Sequence, residues 1–249
     1  SLHRIRDLAG VAANDEGGLS LGAMTTLRAL ETDPGVMKDY PLLAETLSQV
    51  ANVRVRGAAT LGGNLAHGDY RLDPPGALIA LGARLRLGSP RGVRTLPLAD
   101  FFLGFFETDK AEDEIILGAD LPPPDPAASG HYLKFTSHAS SDWPCVGVAA
   151  HLRWDGAGRC AGAEVVVTAA AATPLRVAGM ADLLKGEALT EALARRAGEL
   201  AAGQLEPIED ASGSAWYKRE IAPVLVRRAL LEAARRAPAA RGATGRSRG

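Results

Sequence analysis

The sequence predicts an α+β protein of two domains, on three observations. Residues 122–130 (PPPDPAASG) read as a linker, because prolines fix φ and withhold donors while the rest of the stretch has no side chain to pack. Before it, short alternating strands are mixed with short helices. After it come apolar strands in an antiparallel meander and then two amphipathic helices. The chain has 249 residues, enough for one large or two small domains. Its composition, 47% apolar and 23% charged, is that of a globular protein.

Leu2, Ile5 and Leu8 recur at i, i+3, i+6 and give a short half-buried pattern. A strand follows at 19–22. Thr25 or Thr26 can N-cap the helix that Pro34 interrupts. Pro41 suits the first turn of a helix over 41–51, with Leu43, Leu47, Val50 and Ala51 on one face and Asn52 as its stop. VRVR (53–56) alternates and predicts a short strand. The glycine-rich segment from 57 to 73 predicts a shaped loop, since glycine costs about 0.5–1 kcal/mol in a helix or strand. Pro74 and Pro75 open a helix that ends near Leu81, for which Asp73 is a candidate cap. Strands are predicted at 83–89, with Leu85 and Leu87 inward, at 93–98 and at 113–121. Phe101, Phe102, Phe105 and Phe106 predict core packing at an element junction. Past the linker, strands are predicted at 132–136, 145–154 and 161–168, with DGAG (155–158) as a hairpin loop. Helices follow at 190–202 and 214–236, the second kinked or opened by Pro223. The domains are expected at 1–124 and 131–237, with 238–249 a disordered tail.

The formal charge is −1, so no global basic field points to nucleic acid, and the low aromatic content argues against a base-stacking platform. No apolar run is long enough to span a bilayer, and the first ten residues lack the apolar core of a signal peptide. A cytoplasmic location without membrane integration is therefore expected. Cys145 and Cys160 cannot make a disulfide framework or a metal site and read as small buried apolar residues. His138, Ser140 and Asp142 lie within one short loop with nothing to form an oxyanion hole, which argues against a triad. The basic residues of the last helix read either as a solvated face or as a contact for a partner subunit.

Thr60-Leu61-Gly62-Gly63-Asn64 is the segment with chemistry. Successive glycines let backbone N–H groups approach an anion, and Thr60 and Asn64 add side-chain hydrogen bonds. The segment is neither a dinucleotide nor a Walker fingerprint. It can equally be a structural turn.

The run RVRGAATLGGNLAHGDYRLDPPGALIALGARLRL resembles the second flavin loop of the FAD-binding medium subunits of molybdenum hydroxylases, the carbon monoxide dehydrogenase, xanthine dehydrogenase and aldehyde oxidase group. The family pattern is R-x-x-[AG]-T-[IL]-GGN, then D/S-P-x-x-D. PLADFFLGFFET with DEIILGADLP, YLKFTSHASSDWPCVGVAA, and PLRV…LLKG…GSAWYKREIAPVLVRRAL resemble three further stretches of it, in order. The resemblance implies a partial PCMH-type FAD-binding domain followed by a C-terminal antiparallel sheet with helices like that of the CO dehydrogenase flavoprotein. It implies an oxidoreductase subunit that passes electrons from an iron–sulfur small subunit through FAD to an external acceptor. Molybdopterin would sit on a large subunit and [2Fe-2S] on the small one, in a dimer of heterotrimers. Thr60, Leu61, Gly62, Gly63 and Asn64 match the loop around the FAD diphosphate and ribityl chain, and His67 a small polar flavin contact. Asp73 matches a residue that binds the cofactor's polar groups, and Ile115 and Ile116 match apolar residues against its rings. Lys134 matches a lysine near the flavin, where a cation stabilises the reduced ring. A flavin-free scaffold and a stand-alone flavin oxidase or reductase remain the other readings.

Four departures stand out. The family's Asp-Pro is here Asp69-Tyr70, which leaves the turn less rigid. Its Arg pair after the lysine is Ser137-His138, and Pro223 falls inside a helix that usually lacks it. The family's other Gly-rich loop, A-G-G-T/H, belongs upstream of a segment like LHRIRDLAG, where this sequence starts. The chain is therefore expected to lack that subdomain.

Overall fold

A computed structural model describes residues 2–238, apart from the side chain of His3. The expected tail from 239 onward lies outside the described residues. The first half holds β1 (Val11–Ala13), β2 (Leu19–Gly22), α1 (Leu27–Glu31), α2 (Pro34–Asp39), α3 (Pro41–Ser48), α4 (Val53–Ala58), α5 (Leu61–His67) and α6 (Pro74–Ala80). It continues with β3 (Arg84–Ser89), β4 (Gly92–Pro97), a small hairpin of β5 (Phe102–Gly104) and β6 (Glu107–Thr108), and β7 (Ile115–Leu121). The main sheet is antiparallel in the order β1-β2-β7-β3-β4. β7 takes the centre because Ile116, Ala119 and Leu121 are apolar and buried there.

The second half holds β8 (Ala128–Phe135), β9 (Val146–Trp154), β10 (Cys160–Thr168), β11 (Leu175–Arg176), α7 (Met180–Leu184), α8 (Glu191–Ala202) and α9 (Ala215–Arg235). Its sheet runs β11-β10-β9-β8, all antiparallel. Alternate residues of its central strands serve different cores. Val146, Val148, Ala150, Val165 and Val167 pack in the cluster formed with α8 and α9, whereas Ala149 and Val166 join Tyr132 in the cluster of the first half. Period-two alternation puts them on opposite faces. The second sheet is thus covered by helices on both sides. The helix on its inner side is α6, whose residues PPGALIA are all buried. A helix without a polar face is stable only when enclosed.

Several expected helix starts are present as capping bonds. Thr26 accepts from Ala29 N–H at 3.1 Å, Thr190 from Leu193 at 3.2 Å and Ser214 from Tyr217 at 3.2 Å. Thr25, the other candidate, instead accepts from Gly10 N–H at 2.8 Å.

Other expectations are corrected. VRVR is the start of helix α4. Asn52 does not stop the preceding helix but caps this one, accepting from Arg54 and Val55 N–H, and the positive φ of Ala51 makes the break. The alternation misled because Val53 and Val55 are exposed while Arg56 turns inward to Glu31 at 2.8 Å. Leu2, in a 3-10 turn, and Ile5, between two such turns, are exposed, and only Leu8 is buried. Phe101 and Phe102 are core, but Phe105 and Phe106 stand half exposed at the hairpin tip. Asp73 makes no side-chain capping bond to α6. Pro223 lies inside α9, well past its first turn, so it does not open the helix. The basic residues of α9 do not form a uniformly solvated face: Lys218 is fully buried and Arg227 pairs with Glu191 at 2.9 Å.

Two contacts lock this arrangement. Gly198 of α8 lies against α9 so closely that a Cβ there would stand 2.4 Å from the Pro223 carbonyl oxygen. Glu45 of α3 accepts from Arg236 at 2.9 and 3.0 Å and from Tyr132 N–H at 3.1 Å, with His131 Nδ1 at 3.1 Å. Burial by itself would raise the Glu45 pKa, but the hydrogen bonds from His131, Arg236 and Tyr132 outweigh it and bring it down to about 2.

Gly198→Ala should gain about 1 kcal/mol of helix propensity yet destabilise overall by about 1–3 kcal/mol, because the crossing is overpacked; urea unfolding reads the net sign. A carboxylate with a depressed folded pKa contributes stability above its unfolded pKa and loses it as pH falls toward the folded one. The Glu45 contribution is therefore fully present above the ordinary glutamate value of 4.5 and disappears toward pH 2. Glu45→Gln should flatten that part of a stability-versus-pH curve, and a curve superposing on that of the native protein would show that the clasp carries no pH-dependent stability.

Candidate functional site

The segment 60–67, expected as a shaped loop, is a capped helix. Thr60 Oγ1 accepts from Gly63 N–H at 3.2 Å, and Leu61 and Leu65, one turn apart, are both fully buried. Those two burials offset the cost of two glycines in one turn. The glycines do different work. A Cβ on Gly62 would lie 2.7 Å from the Ala23 Cβ, so Gly62 is required by packing. Gly63 faces outward, and the nearest atom to a Cβ there would be Thr60 Oγ1 at 3.0 Å.

The expected nest of free backbone donors is absent here. Leu61 N–H donates to Thr25 O, Gly62 to Ala23 O, Gly63 to Thr60 Oγ1 and Asn64 to Thr60 O. Side chains and open space are what the helix start offers. Asn64 Oδ1 is buried and has no hydrogen-bond partner, an arrangement that costs about 1–3 kcal/mol unless a ligand or water completes it. His67 is half exposed and leans on Phe106, their ring centroids 4.9 Å apart. Phe106 has φ of 57° and donates its N–H to the Gly68 carbonyl at 3.0 Å, which fixes the hairpin tip beside the end of α5. Phe105 stacks on Phe106 at 4.1 Å.

The next turn adds charge. Asp69, buried, accepts from the Arg71 backbone N–H at 2.9 Å and from its guanidinium at 3.0 and 2.7 Å. Burial would raise the Asp69 pKa, but these bonds hold it below the usual carboxylate range. The guanidinium lies between two rings, 5.5 Å from the Tyr70 centroid and 5.1 Å from that of Trp143. Sequence reasoning missed Tyr70, Arg71, Phe106 and Trp143 as members of this face. The only sequence signal was the tyrosine standing where the family pattern has proline.

The other expected site residues are distributed differently. Asp73 and Lys134, expected to face a cofactor, face each other at 3.0 Å with 3% of each side chain exposed. Tyr132 donates its hydroxyl to Asp73 at 2.5 Å, and Lys134 also donates to the Gln49 carbonyl at 3.0 Å. Burial and the Asp73 charge push the Tyr132 hydroxyl pKa well up. This group joins the two halves at the start of α6. Ile115 is exposed at the end of β7, whereas Ile116, the next residue, points into the core, as does Leu61. A concavity of about 670 Å³ lies along the proline stretch against Tyr40, His151 and Arg236 and shares no residue with 60–73. Cys145 and Cys160 are free and buried, as expected. Asp142 accepts from the Ala139 N–H at 2.9 Å, which closes its own loop.

Lys134→Met should destabilise by about 3–5 kcal/mol, since it leaves a buried carboxylate without its cation. Adding Asp73→Asn should recover part of that loss. Equal stability of the single variant and the native protein in denaturant titration would mean that the pair carries no net interaction.

The family described as the FAD binding domain in molybdopterin dehydrogenase matches residues 1–124, and the CO dehydrogenase flavoprotein C-terminal domain matches residues 131–233. The chain is 34% identical over 230 residues to the carbon monoxide dehydrogenase medium chain of Hydrogenophaga pseudoflava, covering 92% of this chain and 79% of that one. The solved carbon monoxide dehydrogenase of H. pseudoflava lacking the Mo-pyranopterin moiety matches at a TM-score of 0.90 and 34% identity, over 94% of this chain and 81% of that chain. Quinoline 2-oxidoreductase from Pseudomonas putida 86 matches at a TM-score of 0.87 and 33% identity, over 94% and 80%.

Proposed function

The chain belongs to the family of FAD-binding medium subunits of molybdopterin dehydrogenases, and from that premise we propose that it is the electron-transferring flavin subunit of a molybdenum hydroxylase complex. Its partners in that reading are an iron–sulfur small subunit and a molybdopterin large subunit. Electrons arrive from the former and leave to an external acceptor. The proposed assembly is a dimer of heterotrimers in the cytoplasm. Among the described residues no helix is long and apolar enough to cross a membrane.

One observation supports the reading most: the unpartnered Asn64 Oδ1 at an open, glycine-lined helix start. The residues fit FAD on the side-chain count. Asn64 can accept from a hydroxyl, Thr60 can bond an anion or a hydroxyl, and Gly63 allows close approach. His67, with Phe106 behind it, presents a planar polar face. Arg71 is the nearby fixed cation. Ile115 is the apolar residue open to a ring, and the backbone around Leu61 and Gly62 shapes the floor. Asp73 and Lys134 act in this reading behind that floor, fixing where the second half of the chain meets it. FAD, when bound, supplies the redox chemistry by accepting and releasing electrons singly or in pairs. The protein's share is to hold the ring and keep water from one face.

A second reading, a flavin-free scaffold for the partner subunits, draws on the fact that every backbone donor at the start of α5 already has an acceptor. Flavin content of the isolated protein separates the two. Under the first reading Asn64→Ala weakens FAD about 5- to 150-fold, the range for a lost hydrogen bond to a buried polar group, and leaves flavin-free melting nearly unchanged. Native protein isolated without flavin and unable to take it up would favour the scaffold.

A further inference from the structure

We infer that Tyr70 is a positioning residue. Through Asp210 and Lys218 of the second half of the chain, it fixes the turn that presents Arg71 to the face of α5. The inference rests on the reading of that face as the flavin site. Tyr70 occupies the second position of a turn closed by the Leu72 N–H on the Asp69 carbonyl at 3.1 Å. Proline favours this position because it presets φ. A tyrosine does not preset φ, which leaves the turn to be held by other means.

The structure supplies those means from across the inter-half boundary. The Tyr70 hydroxyl donates to Asp210 Oδ2 at 2.6 Å, and its carbonyl accepts from Ala169 N–H at 2.9 Å. Ala169 is held at φ of 64°, a conformation unfavourable for a residue with a Cβ, and its own carbonyl accepts from Lys218 Nζ at 2.9 Å. Lys218 is fully buried, donates to Asp210 at 2.7 Å and lies 5.5 Å from the centre of the Tyr70 ring. Burial and the Asp210 carboxylate both push the Tyr70 pKa up, so the phenol stays a donor. The same ring is one wall of the Arg71 stack and meets Phe105 edge-on at 5.2 Å. Loss of the hydroxyl therefore frees the turn and the cation together, although neither Tyr70 nor Lys218 reaches the open face.

The test uses the full-length protein isolated as its cells make it, stripped of flavin and titrated with FAD by fluorescence quenching. Tyr70→Phe keeps the ring packing and should weaken FAD about tenfold, with Asp210→Asn acting in the same direction. Tyr70→Pro should bring part of the affinity back, because the turn is rigid again although the ring beside Arg71 is gone. Its flavin-free melting temperature should fall below that of Tyr70→Phe, because the buried ring is lost as well as the bond to Asp210. That split separates positioning from general stability. The Arg71 Nε–H resonance gives a readout without flavin: it should exchange with water faster in Tyr70→Phe than in the native protein. Native affinity in Tyr70→Phe, no rescue by a folded Tyr70→Pro, or an unchanged Arg71 signal would each overturn the inference. Native protein that takes up no FAD while the Arg71 signals behave as expected would overturn the flavin reading and leave the clamp standing.

Discussion

The enclosure of α6 is the constraint on which the rest depends. PPGALIA has no polar side chain to turn to water, and all seven residues are buried. Exposing such a helix forfeits apolar burial worth about 25 cal/mol per Å². Only a second layer can cover it, and the four-stranded sheet of the second half supplies one through Tyr132, Ala149 and Val166. Gly76 sits at that contact, where a Cβ would lie 3.0 Å from the Thr168 methyl. The two halves are therefore not beads on the proline linker. They share a core.

That core is sealed by charge at three places where the halves meet. Asp73 with Lys134 and Glu45 with Arg236 cross the boundary, and Asp210 with Lys218, eight residues apart within the second half, meets the first half through the Tyr70 hydroxyl. A buried pair adds little net stability, but removing one partner strands a charge and is costly. The two pairs with nearly enclosed lysines lie at opposite ends of the same short stretch, 70 to 73, through the Tyr70 hydroxyl and Asp73. The stretch that follows α5 is held from behind at both ends, so α5 presents a rigid face.

A rigid, partly unsatisfied face suits the binding of a large polar cofactor, whose affinity gains when no ordering has to accompany binding. Gly62 and Gly63 illustrate the division of labour. One lets α5 settle against Ala23, and the other leaves the outer side clear. The helix spends its own N–H groups on the fold, so in the proposed reading ligand recognition there falls to Thr60, Asn64 and neighbouring side chains.

The sequence by itself determined most of the strands, several helix starts and, through four collinear motifs, the family and its cofactor, whereas β8 begins at Ala128, inside the stretch expected as linker. These are local signals: Thr26, Thr190 and Ser214 act within one turn, and Leu85 and Leu87 alternate within one strand. VRVR and the glycine run were misread because their conformation is decided by Arg56 reaching Glu31 and by Gly62 meeting Ala23, partners 25 or more residues away. Only the tertiary structure could decide that Ile115 faces out and Ile116 in, that Asp73 and Lys134 meet each other, and that Tyr70 meets Asp210. A motif specifies which residue types recur, whereas burial and pairing follow from which elements pack together. For the stretch 69–73, the packing partner is a sheet and a helix that begin more than fifty residues later.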